Sequence, residues 1–83
     1  MPSYSAIVRQ VMHDHDRHII HSSVLLNGNR RVKCFAWRGN DEATDNLITK
    51  IKATLTEHQC PFFDVRIRKN YPDDSIIVEV PTN

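Results

Sequence analysis

The residues that could do chemistry crowd into one short stretch. His13-Asp14-His15-Asp16-Arg17-His18, with His21 just beyond, brings together imidazoles and carboxylates, ligand types that suit zinc or nickel. Zinc sites usually set their ligands in pairs at helix or knuckle spacings on a rigid scaffold. This run has no such spacing and reads as a polar turn, and only His58 or Cys60 could complete a ligand set from a distance. The expectation is a solvated turn with no metal. A metal-responsive role, or that of a mild pH sensor near neutrality, is the further alternative for these histidines.

Enzyme constellations are missing from the sequence. The two glycines, Gly28 and Gly39, both sit in turn-like contexts, so no glycine-rich phosphate loop can form. No Ser or Cys occupies a nucleophile context, and Cys34 is expected to face the core. Asp73 and Asp74 are neighbours in a loop, where their side chains splay apart rather than share a proton. The chain is therefore expected to be a non-enzyme, with no catalytic residue and no cofactor.

A second pattern has more promise. Arg31, Lys33, Phe35 and Trp37 alternate along one segment, and Arg66 and Arg68 share a parity on another. Aromatic side chains with arginine make up the hot spots of protein–protein interfaces. Basic residues interleaved with rings also suit nucleic acid, where charges track phosphates and rings stack on bases. Eleven basic residues against ten acidic leave a net charge of +1, so no global field draws the protein to a polyanion. A protein partner on Arg31, Lys33, Phe35, Trp37, Arg66 and Arg68 is the favoured expectation, and nucleic acid on the same face is the alternative.

Those residues must be positioned by the elements around them. Tyr4–Met12 mixes Ile7, Val8 and Val11 with polar neighbours and reads as a strand. Ile19–Leu26 and Arg30–Trp37 flank Asn27-Gly28-Asn29, a strong hairpin signal. A three-residue loop pairs Leu26 with Arg30 and gathers Ile20, Ser22 and Val24 with Val32, Cys34 and Ala36 on a core face. The opposite face then carries His21, Ser23, Leu25, Arg31, Lys33, Phe35 and Trp37. Asn40 is a suitable N-cap, with Asp41 and Glu42 in the first turn of a helix running to about His58. Its stripe of Leu47, Ile48, Ile51 and Leu55 faces the sheet, Thr44, Lys50, Lys52 and Glu57 face water, and Pro61 ends it. After Pro61, Phe63, Val65 and Ile67 alternate with Phe62, Asp64, Arg66 and Arg68 as a half-buried strand, Asn70–Ser75 is a loop, and Ile76–Val80 is the last strand before a fraying tail, Pro81-Thr82-Asn83.

The predicted fold is a single small α+β domain over residues 1–83. An antiparallel sheet of about five strands, in the order β-β-β-α-β-β, carries one amphipathic helix on the face of Val24, Val32, Cys34, Val65 and Val78. One helix covers one face, so Phe35 and Trp37 are left for a partner or for a second copy, and a homodimer is expected. In element order alone, the chain resembles small phage-encoded inhibitor proteins, some anti-CRISPR proteins among them, which are likewise single domains of hairpins and one helix. The resemblance implies an inhibitor or accessory factor of a phage or mobile element that acts purely by binding. The hairpin and helix of Ile19–Leu55 are similar in order to the three-stranded DNA-binding domains of phage integrase arms, but those end after the helix, whereas here a second hairpin follows.

Hydrophobic residues make up 40% and charged residues 25% of the chain, which fits a globular domain and excludes disorder. The longest apolar run, Cys34-Phe35-Ala36-Trp37, is too short to span a bilayer. Met1-Pro2-Ser3-Tyr4-Ser5 lacks the features of a signal peptide. Cys34 and Cys60 match no disulfide framework. The expectation is a cytoplasmic protein with both cysteines as free thiols.

Overall fold

The computed structural model describes residues 3–38, 44–69 and 73–82. Along the chain run α1 (Tyr4–Asp14), β1 (Ile19–Asn27), β2 (Arg30–Trp37), α2 (Thr44–Glu57), β3 (Asp64–Arg68) and β4 (Ser75–Pro81). The fold is α+β, with a four-stranded antiparallel sheet in the order β1-β2-β4-β3. Both helices contribute to one core with the same sheet face, and they pack against each other.

The first element corrects the sequence reading, because Tyr4–Met12 lies in a helix and not a strand. Tyr4, Ile7, Val8, Val11 and Met12 follow the i, i+3, i+4, i+7, i+8 spacing of a helical stripe. Ile7, Val8, Val11 and Met12 are buried, and Tyr4 packs against them. Ser3 caps the helix: its backbone is extended and its Oγ accepts a hydrogen bond from the Ala6 N–H at 3.2 Å. Among the described residues the element order is thus αββαββ, with four strands instead of five.

Both helices close in the same way. After α1, Asp16 adopts φ +58°, Arg17 N–H donates to the Met12 carbonyl (2.8 Å) and Asp16 N–H to that of His13 (3.0 Å). After α2, Gln59 adopts φ +57°, Cys60 N–H donates to Leu55 (2.9 Å) and Gln59 N–H to Thr56 (3.0 Å). These paired bonds are the Schellman closure, with Asp16 and Gln59 in the left-handed position that glycine usually fills. Much of the histidine-rich turn is therefore the end of a helix.

The hairpin register differs from expectation by one residue. Asn27 pairs with Arg30 and Leu26 with Arg31, so the loop is Gly28-Asn29 alone. Gly28, at φ +63°, takes the first loop position, as in a type II′ turn. A slip of one residue exchanges the faces of a strand. Phe35 and Trp37 therefore point toward the helices and are buried, while Val32, Cys34 and Ala36 lie half-buried on the opposite face. The energetics favour this choice, since burying two large aromatic rings removes far more apolar area from water than burying Val, Cys and Ala. Arg31 and Lys33 go with them to the helix side, whereas Arg66 and Arg68, paired with Ile77 and Ser75, stand on the open side.

The α2 stripe follows the sequence reading: Leu47, Ile51 and Leu55 are fully buried, and Lys50, Lys52 and Glu57 are exposed. Val65 and Val78 face the helices as expected. Val24 also lies on the helix side of its strand but is exposed. The expected features at Gly39, Asn40, Asp41 and Glu42, and at Asn70, lie outside the described residues. Pro81 does not fray: it pairs with Arg30 in the sheet, and Thr82 N–H donates to the Asn29 carbonyl at 3.0 Å.

Candidate partner-binding edge

The shared binding face read from the sequence does not exist. Phe35 and Trp37 are 0% and 2% exposed beneath the helices. Arg31 and Lys33 remain accessible in part, but Arg66 and Arg68 lie on the other side of the sheet. Buried as they are, Phe35 and Trp37 offer no exposed aromatic face to a second copy.

On the open side four charged residues form one network. Glu79, only 16% exposed at its side chain, accepts from Arg66 and, at 3.3 Å, from Arg30, while Arg66 also reaches Asp64 at 3.0 Å. The hydrogen bond from Arg66 holds the Glu79 carboxyl below the ordinary carboxylate range, against the opposing effect of partial burial, and Arg30 adds to it. The same bonds to Glu79 and Asp64 push the Arg66 guanidinium upward. Phe63 stays about half exposed beside this network, with the Arg30 guanidinium stacked 4.3 Å from its ring centre. This network neutralises Arg30 and Arg66 on that face, and Arg68 stands exposed beside it.

The network also sets a pH response. A carboxyl depressed in the folded state stabilises the fold above its ordinary value, and that stability is lost as pH falls through the depressed one. Lowering the pH from about 6 through the carboxylate range near about 4.3 should lower the melting temperature. Glu79→Gln should remove part of that slope, and an unchanged slope in this variant would show that Glu79 does not contribute.

The helix side of the first hairpin is different. Arg9, from α1, lies with its Cζ 5.4 Å from the Phe35 ring centre, and its Nη2 donates to Ser22 Oγ at 3.1 Å. Lys33 Nζ lies 5.7 Å from the same ring. Arg31 lines a cleft with Ser3, Tyr4 and Pro61. Among the described residues, none of these three cations has a carboxylate within 4 Å. In the strand register Arg31 stands beside Leu26 and Lys33 beside Val24, and Arg9 bonds to Ser22. A cation therefore recurs at every second position along the edge.

The edge itself is β1. It ends the sheet and carries Ile20, Val24, Leu25 and Leu26, exposed by 42, 52, 66 and 64%. Val24 and Leu26 project to the helix side and Leu25 to the open side. From His18 to Asn29 the chain contains no Asp, Glu, Lys or Arg. Natural edge strands are usually guarded by charge, proline or a covering element, and β1 has no charged residue. Sequence reasoning missed this site because it weighed the face of the hairpin and not its outer edge. The signal was there, in an uncharged apolar strand at the start of a hairpin.

Two other features compete with the edge. An open groove of about 440 Å³ runs between the helices, lined by Ile7, Val11, Lys50, Thr54, Glu57 and His58 among others. Its rim mixes charges of both signs and presents no single binding chemistry. Cys34 and Cys60 are free thiols, both half-buried, and Cys34 faces the open side and not the core as expected. Among the described residues no three His, Cys, Asp or Glu side chains are grouped to hold a metal ion, and no helix is long and apolar enough to cross a membrane. No protein-family model matches the chain, and no curated protein or solved structure matches it.

Proposed function

We propose that this domain is a non-enzymatic protein-binding module that captures an extended segment of a partner protein along β1. The observation that carries the reading is the edge strand, with no strand paired on its outer side among the described residues and lined by Ile20, Val24, Leu25 and Leu26 with no charged residue along it. An added strand would pair with the free backbone groups of β1, and its side chains would cover apolar residues on both faces. Backbone pairing supplies affinity in this mode, and the side chains on alternate positions supply selectivity. An inhibitor role inferred from a β-β-β-α-β-β order has lost that footing, because the order is αββαββ.

The test is selection of nine-residue peptides from a random display library on the immobilised domain. Val24→Ser/Leu25→Ser/Leu26→Ser removes three cross-strand contacts worth about 0.2–1 kcal/mol each, so selected peptides should bind it about threefold to a hundredfold more weakly. Its melting temperature should stay close to that of the parent, because all three side chains are exposed. Peptides that bind parent and variant alike would place the binding surface elsewhere.

A further inference from the structure

We infer that the segment captured by β1 is acidic on one face, with glutamates at alternate positions and apolar residues between them. The inference rests on the edge-capture reading and adds the chemistry of the partner.

Charge decides between the possible occupants. Arg31, Lys33 and Arg9 succeed one another along the helix side of β1, beside Leu26, Val24 and Ser22 respectively. Residues two apart on a strand lie about 6.6–6.8 Å apart and share a face. An added strand thus brings every second side chain past these cations in turn. A carboxylate there meets positive charge that no described carboxylate neutralises. Arg9 is the nearest of the three, because its guanidinium already bridges from Phe35 to Ser22 across the strand pair. Lys33 and Arg31 belong to β2, about two strand spacings, or roughly 9.6 Å, from an added strand. A glutamate spans that gap better than an aspartate, and its methylenes cover Val24 and Leu26 on the way. On the other face the added strand lies beside Leu25 and, behind it, half-buried Val32, which favours apolar side chains there.

A second copy of this chain fits poorly. Pairing β1 with its own copy brings Arg9, Lys33 and Arg31 of one protomer toward the same three of the other, a juxtaposition of like charges. A long nucleic acid would satisfy the cations but would leave the apolar edge and its backbone groups uncovered.

The experiment uses the full chain and four nine-residue peptides in which Val alternates with Glu, Asp, Ser or Lys. Binding is read by fluorescence anisotropy, and its site by backbone amide shifts of Ile19–Asn27. The Glu-Val peptide should bind about tenfold or more tightly than Ser-Val, from three partly exposed charge pairs. Asp-Val should fall between these two, and Lys-Val should bind weakest. Raising salt from about 0.1 to 1 M should erase most of the Glu preference on the unmodified protein. Arg9→Gln, which keeps an N–H donor for Ser22, should reduce it, and Arg9→Gln/Lys33→Gln should bring Glu-Val and Ser-Val within about threefold of each other.

Equal affinity for all four peptides, with β1 amides shifted, would overturn the acidic preference and leave edge capture standing. Glu-Val binding that leaves the β1 amides unmoved would overturn edge capture itself. Binding by none of the peptides overturns both. Concentration-dependent dimerisation that shifts the β1 amides would assign the edge to a second copy. Tighter binding of single-stranded or duplex DNA than of Glu-Val would assign the cations to nucleic acid.

Discussion

Replacing Trp37 with alanine should cost about 3–5 kcal/mol of stability, the usual range for removing a large aromatic side chain from a packed core. Trp37 is 2% exposed and packs in one cluster with Phe35, Val8, Met12, Leu47 and Ile51. Truncation leaves a cavity between sheet and helices that close-packed neighbours fill only in part. A chain of 83 residues has a total stability of about 4–12 kcal/mol at roughly 0.05–0.15 kcal/mol per residue. The variant should therefore retain little stability, and its melting temperature should drop by about 12–40 °C at roughly 4–8 °C per kcal/mol. Circular dichroism melts check this, with acrylamide quenching of the parent as a companion, since a buried indole is shielded. A near-parental melting curve for Trp37→Ala would return Trp37 to an outer, partner-facing role.

The indole carries a further constraint. Its backbone N–H donates to the Asp74 carbonyl at 3.0 Å, while its buried Nε1 has no hydrogen-bond partner among the described residues. The carboxyl of Asp74, itself fully buried, meets Lys69 Nζ at 3.0 Å. Asp74 is thus tied to the end of β2 by backbone and to the residue after β3 by charge, which helps hold Trp37 in the core.

What could be read from the sequence follows from how local each signal is. The α2 stripe and the bounds of β2 were legible because periodicity and flanking turn residues act within a few positions. The parity of Val65 and Val78 was legible for the same reason. α1 was misread because its β-branched Ile7, Val8 and Val11 suggest a strand, although Ser3 and the i, i+4 spacing mark a helix. The β2 face was misassigned because Asn27-Gly28-Asn29 accommodates more than one loop length. The choice among them is made by tertiary packing, in which the second helix creates room to bury Phe35 and Trp37. Without α1, those rings looked uncovered, and a binding face was drawn where the core lies. Arg31 and Lys33 remain candidate contacts, now for a strand beside β1. Arg66 is committed to Glu79 and Asp64, and Arg68 shares its open side. Arg9 could not be placed at the site without knowing that α1 crosses the hairpin.

The central claim is that β1 is the docking edge, and backbone amide hydrogen exchange tests it most directly. Alternate residues of an edge strand direct their N–H groups away from the sheet, where water exchanges them readily. With a selected peptide bound, the outward amides among Ile19–Asn27 should slow by as much as the affinity of the complex allows. Amides along the open side of β3 and in the α1–α2 groove should keep their free-state rates. Strong protection confined to β1 is the result this account predicts. Unchanged β1 amides, with protection appearing over the groove lined by Lys50, Thr54 and His58 or over the Arg66–Glu79 face, would contradict it.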